Sequence, residues 1–146
     1  MTTRHKRSFL RRHSLSLVSA SILLCWIIFY CQSNPDTHIG AFFGNAIADW
    51  TGLVVMVLAT KFMYEKGSSE SRQPPKHWIH SVWRDHSLTI FLFLTGAAWV
   101  ALFARSDPTS KWGQVVGNIV SEWTQILGIV ILTKGLLETH SKESRR

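Results

Sequence analysis

"GNAIADWTGLVVMVLATK", residues 44–61, sets one acid, Asp49, inside an otherwise apolar run, and "GNIVSEWTQILGIVILTK", residues 117–134, repeats the arrangement around Glu122. Both runs open on Gly-Asn, carry acid-Trp-Thr and close on Thr-Lys. A helix rising 1.5 Å per residue needs about 20 such residues to cross a hydrocarbon core of ~30 Å. Outward from these runs, charged residues avoid four stretches almost entirely: roughly 15–31, 39–60, 88–104 and 112–133. The composition, 46% apolar and 17% charged, would suit a soluble domain. Its segregation does not. The pattern predicts an all-α integral membrane four-helix bundle.

The first stretch follows a basic flank, as a signal peptide would, but no small-x-small cleavage site closes it and the same design recurs later in the chain. It is therefore expected to be a resident helix. The net charge of +7 has a topological cause. Arg4, Lys6, Arg7, Arg11 and Arg12 precede the first segment. Lys61, Lys66, Arg72, Lys76 and Arg84 lie between the second and third, and Lys134, Lys142, Arg145 and Arg146 follow the fourth. Only Arg105 and Lys111, of 16 basic residues, fall on the other side. The positive-inside rule then puts both termini in the cytoplasm, with the bilayer and its anionic headgroups as partners and no nucleic acid. Cys25 and Cys31, about 600° apart around one helix, cannot pair within it.

Shifting the chain by 73 residues aligns it with itself without a gap, giving 21 identities in 73 positions, against roughly 4 for chance. His13, Ser14, Leu15, Trp26, Pro35, Gly40, Gly44, Asn45, Trp50, Thr51, Thr60, Lys61 and Glu65 recur as His86, Ser87, Leu88, Trp99, Pro108, Gly113, Gly117, Asn118, Trp123, Thr124, Thr133, Lys134 and Glu138. The expected units are a hairpin over residues 1–73, with helices about 14–32 and 39–64, and a hairpin over 74–146, with helices about 87–105 and 112–137. Each unit crosses twice, so both copies share one orientation and a pseudo-twofold along the membrane normal should relate them. "SNPDTHIG" and "SDPTSKWG" form the outer turns, since the residue before proline is pushed out of helical geometry. Residues 65–76, "EKGSSESRQPPK", read by composition as an unpacked linker, and "HWIHSVWRDH", residues 77–86, as a headgroup-level segment.

At 100° per residue Asn45, Asp49, Gly52 and Met56 share a face, copied by Asn118, Glu122, Gln125 and Ile129. Beside it runs a small-residue stripe, Gly40, Gly44, Ala48 and Thr51, copied by Gly113, Gly117, Ser121 and Thr124. Such a stripe lets helices approach closely in lipid, and predicts that the second and fourth helices form the inner pair. Trp50 and Trp123 should pack on the first and third helices or face lipid, and Lys61 and Lys134 should snorkel to headgroups.

An ionised carboxylate at mid-bilayer costs roughly 2.5 to 3.5 kcal/mol even on the lenient insertion scale, and three readings of the acids stay open. Asp49 and Glu122 meet across the axis and bind a proton or cation, with Asn45, Asn118, Thr51 and Thr124 as oxygen ligands or hydrogen-bond partners. Two carboxylates so placed resist double ionisation and share a proton. Alternatively each is polar glue within its hairpin or at an oligomer interface, or both are interfacial and hydrated. Catalysis has no carrier. The seven histidines avoid the apolar cores, and no zincin, phosphate-loop, nucleophile-elbow or haem motif occurs. No metal site, cofactor or enzymatic activity is expected, although His77, His80 and His86 cluster in sequence.

"ADWTGLVVMVLATKFMYEKGSSES" and "SEWTQILGIVILTKGLLETHSKES" resemble an uncharacterised family of small bacterial membrane proteins whose second helix carries an acid-Trp motif and closes with a Gly-Ser-x-Glu-Ser tail. The resemblance covers the second and fourth helices with their tails, His140 replacing the tail glycine in the second copy. It implies a bacterial inner-membrane location and no particular activity. The expected function is binding or conduction of protons or cations by the paired carboxylates; the alternative is a non-conducting scaffold or accessory subunit, either one possible as a homo-oligomer or beside a membrane-protein partner.

Overall fold

The structure, a computed structural model, describes residues 9–71 and 81–136. His77, His80, His140, Glu138 and the rest of both the linker and the tail lie outside them. Four long helices carry the chain: α1 (Ser14–Gln32), α2 (His38–Ala59), α3 (Ser81–Arg105) and α4 (Lys111–Leu132). All four are long and apolar enough to cross a membrane. Their outward surfaces are correspondingly greasy, with Leu15, Phe42, Phe93 and Leu94 all exposed, as suits side chains solvated by lipid rather than water.

Helices α1 and α2 pack as one hairpin, α3 and α4 as another, and α2 packs on α4 to join them. The two hairpins are built by the same local devices. Helices α2 and α4 begin and end 73 residues apart, and their N-caps, Thr37 and Ser110, accept the amides of Gly40 and Gly113 at 3.1 and 3.0 Å. At the other end of the bundle His13 (φ −117°, ψ 13°) precedes α1, and His86 (φ −133°, ψ 17°) interrupts α3 at the equivalent place. The bilayer-length part of α3 thus starts after His86, with a short helical turn before it.

Both inner helices stop earlier than the hydrophobic pattern implies, at Ala59 and Leu132 rather than near 64 and 137. Thr60 and Thr133 turn their hydroxyls back to the carbonyls of Met56 and Ile129 (2.7 and 2.8 Å), and the following amides bond three residues back in tightened turns.

The small-residue stripe proves to serve each hairpin internally. A Cβ on Gly44 would sit 3.2 Å from the Tyr30 ring, and one on Gly117 would sit 3.1 Å from Phe103, so these glycines seat an aromatic ring of the preceding helix. Gly40 and Gly113 lie under the carbonyls of Asn34 and Asp107 in the connecting turns. Ala48 is buried and its counterpart Ser121 is exposed. Spacing by four identifies a face, but not which neighbour it meets. The α2–α4 contact uses Gly52 instead, where a Cβ would lie 2.7 Å from Ile126 Cδ1.

Two apolar clusters fill the interior. Tyr30, Ile47, Ala48, Val115, Ile119 and Trp123 occupy the half nearer the proline turns; Ala59, Leu88, Leu92, Ile126 and Val130 occupy the half nearer the basic loops. Trp123 is buried, stacks edge-on against Trp99 at 5.9 Å and donates its indole N–H to Thr95 Oγ1 at 2.9 Å. Trp50, at the matching position, is only half-buried.

Candidate functional site: the carboxyl groups of the helix pair

Glu122 stands where one apolar cluster gives way to the other along α4. Its side chain crosses to the opposite hairpin: a Cβ at Gly52 of α2 would lie 2.8 Å from Glu122 Cγ and 2.9 Å from its Oε1. Glycine at 52 therefore makes the room that the glutamate fills. Asp49 lies one turn before Gly52 on the same helix. The glutamate is half-buried and the aspartate exposed. Neither carboxyl accepts a hydrogen bond from another described residue.

The other sequence candidates divide. Asn118 is half-buried and Asn45 exposed. Thr51 and Thr124 donate their hydroxyls to the carbonyls of Ile47 (2.6 Å) and Val120 (3.0 Å), which leaves each oxygen able only to accept. Asn45 and Asp49 thus open outward on α2, as Ser121, Thr124 and Gln125 do on α4. Gly52, which sequence reasoning placed on the acid's face without a role, is the residue that lets the Glu122 side chain reach the opposite hairpin.

A second carboxyl centre was missed. Glu65, assigned by composition to an unpacked linker, is fully buried. It accepts from Lys134 Nζ at 2.6 Å, from His86 Nδ1 at 2.7 Å and, through Oε2, from the Thr89 amide at 3.3 Å. The last bond has a local cause. The interruption at His86 leaves the first amides of the bilayer-length part of α3 without helical partners, and the loop supplies acceptors: Tyr64 O for Leu88 N and Glu65 for Thr89 N. Serines complete the docking. Ser71 Oγ accepts from Glu65 N and donates to Glu65 O; Ser87 Oγ receives Tyr64 N; Ser68 and Thr133 hydroxyls meet at 3.0 Å. Gly67 turns the loop at φ 85°, a conformation that favours glycine.

Residues 65–71 are consequently packed, contrary to the linker reading, because serine hydroxyls satisfy the backbone where a low-complexity loop would rely on water. Lys134 is held by Glu65 rather than simply snorkelling, whereas Lys61 bonds Ser16 Oγ at 2.6 Å. Burial pushes the Glu65 carboxyl up, but the bonds from Lys134, His86 and Thr89 together with the lysine charge outweigh it and hold the group below the usual glutamate range. A repeated signal marked this residue in the sequence, since Thr-Lys-x-x-x-Glu closes both units.

A third contact ties the hairpins at the turn end. Tyr30 O–H donates to Lys111 O at 2.5 Å, and Lys111 Nζ donates to the carbonyls of Ser33 (2.6 Å) and Cys31 (3.3 Å) while lying 4.7 Å over the Tyr30 ring. A cation at the C-terminal carbonyls of α1 also complements the helix dipole. In the first hairpin the corresponding position is His38, and in the second the tyrosine is replaced by Phe103, so the sequence supports this tie only once. Comparison with models of protein families, with curated proteins and with solved structures found no match, and the reading of these sites rests on their own geometry.

Proposed function

We propose that this chain is a small polytopic protein of a bacterial inner membrane, with both termini cytoplasmic, whose Asp49–Glu122 pair binds or conducts a proton or cation. The observation that carries the reading is the reach of Glu122 across the hairpin boundary onto Gly52, one turn along α2 from Asp49. A carboxyl group serving as packing glue would sit within its own hairpin against a donor; Glu122 instead reaches the other hairpin and accepts no hydrogen bond from a described residue. Protonation or a cation relieves both the desolvation and the mutual repulsion of such a pair. The common offset of the helix bounds and of the N-caps supports a pseudo-twofold through the α2–α4 contact. No catalytic residue belongs to this reading.

Purified protein in liposomes should pass protons or an alkali cation. Asp49→Asn and Glu122→Gln should each lower flux at least ~10-fold, the pair together little more, because groups acting as a unit are non-additive. Impermeability of the intact protein at every pH and with every cation tried would remove conduction.

A scaffold role is favoured by one specific observation, the outward exposure of Asn45 and Asp49 on α2. Lipid is a poor neighbour for that face, and a second copy or another membrane protein would cover it. In that case Asp49→Asn lowers recovery of the assembly with no flux to lose.

A further inference from the structure

The two ties between the hairpins lie at opposite ends of the bundle and differ in kind. At the turn end Tyr30 and Lys111 bond through main-chain carbonyls, and Tyr30 is buried beneath a seat formed by Gly44 and an edge-on contact with Trp112 at 5.4 Å. Among the described residues no carboxylate takes part. At the basic end the contact centres on one buried carboxylate, Glu65, that gathers groups from the loop, from α3 and from the chain just beyond α4. Its neighbours His86 and Lys134 are themselves partly open to solvent, with side chains 42% and 34% exposed, so the centre can be reached by water and protons.

We propose that the bundle hinges at its turn end and opens at its basic end, with the Glu65 carboxylate as the catch. Neutralising Glu65 removes the attraction that draws Lys134 and His86 onto the loop. What remains among the described residues is mostly hydrogen bonding between neutral groups, Lys66 N to Asp85 O, Leu88 N to Tyr64 O, Tyr64 N to Ser87 Oγ and Ser68 with Thr133, beside the long and largely exposed Lys66–Asp85 pair. Among the described residues the titratable and charged groups around the catch are Tyr64, Lys66 and Glu70 on the loop, Arg84, Asp85 and His86 on α3, and Lys134 after α4. Of these Asp85 pairs with Arg84 at 2.9 Å and stands 4.0 Å from Lys66. Release separates the C-terminal ends of α2 and α4, and admits water toward Glu122 from the basic side. The inference is independent of what the Asp49–Glu122 pair binds.

The sign of the pH dependence follows from the lowered Glu65 titration. Its contribution is complete above the ordinary glutamate range, about 4.3, and is lost as pH falls through the lower folded-state value. Acid should therefore open the catch and neutral pH close it.

Spin-label distances in the full chain test this, in a background with the two exposed native cysteines replaced, Cys25→Ser and Cys31→Ser. One label pair, Phe62→Cys with Leu136→Cys, reports the basic end from exposed positions; the other, Asp36→Cys with Thr109→Cys, reports the turn end. Glu65→Gln should widen the first distance by ~5 Å, a hinge-scale displacement, and leave the second within ~1 Å. The protein with native Glu65 should show the same widening when acidified below the glutamate range and reverse it at neutral pH, which needs no folding of a variant. Asp85→Asn should leave both distances as they are. Unchanged basic-end distances in Glu65→Gln or in acid, equal spreading at both ends, or the same opening in Asp85→Asn would each overturn the proposal.

Discussion

Gly113→Ala should destabilise the protein by about 3 kcal/mol, at the upper end of the range for overpacked sites. The added Cβ would overlap the Asp107 carbonyl oxygen and come within 2.7 Å of Ser110 Oγ, and neither is the free end of a flexible side chain. Asp107 O is fixed because it accepts from Ser110 Oγ (2.7 Å) and from Ser110 N (3.1 Å). Ser110 is fixed because it caps α4 through the Gly113 amide. To admit one methyl group the turn must open, and the cap, worth about 1 kcal/mol by itself, goes with it. Asp107 reports the same tightness from its other side: the hydroxyl and amide of Thr109 hold its carboxyl below the usual range. Gly40→Ala should behave alike, since its Cβ would overlap the Asn34 carbonyl. Gly128→Ala is the contrast. Nothing lies within 4 Å of its Cβ position, so the change should be neutral or stabilising by up to ~1 kcal/mol through helix propensity. Denaturant unfolding in mild detergent, followed by tryptophan fluorescence, checks all three.

The second large effect concerns a pair of tryptophans that the repeat makes look equivalent. Trp123→Ala should cost about 3 kcal/mol or more, because it empties a buried site and removes the partner of Thr95 and Trp99. Trp50→Ala should cost less than half as much, since Trp50 is half-buried. The residue that makes the difference sits on another helix. Thr95 accepts the Trp123 indole N–H, and the matching position in the first hairpin is Ile22, which has no acceptor to offer. Trp123→Phe isolates that bond and should lose about 1 kcal/mol beyond the change in packing. Equal losses for the two tryptophans would mean that the hairpins pack more symmetrically than these contacts allow.

Those residues also show how far a sequence reading reaches. Four membrane-length helices followed from charge segregation, because the requirement that a bilayer places on a span is local and one-dimensional. The turns followed from Ser-Asn-Pro and Ser-Asp-Pro for a similar reason: proline constrains its own neighbour. The docking of residues 65–71 did not follow. Gly and Ser there signal backbone freedom, and their composition is silent on whether each serine hydroxyl meets water or, as here, Glu65, Thr133 or a loop amide. The stripe of Gly40 and Gly44 was visible as a face but not as a partner choice. Asp49 and Glu122 were visible as an oddity in apolar runs, and Gly52 as a residue on the same face, but the role of Gly52 was not, because it depends on the crossing of two helices far apart in sequence.

The same helix crossing is the starting point of the central proposal, that Glu122 and Asp49 together hold a proton or cation. Infrared titration of the carboxyl C=O stretch in liposome-embedded protein tests it most directly, with Asp49→Asn, Glu122→Gln and Glu65→Gln as references. The account predicts a protonated-carboxyl band at neutral pH in the intact protein that Glu122→Gln abolishes, that Asp49→Asn shifts, that Glu65→Gln leaves in place, and that a bound cation removes. A spectrum with no protonated carboxyl at neutral pH and no response of any carboxylate band to cations would contradict it.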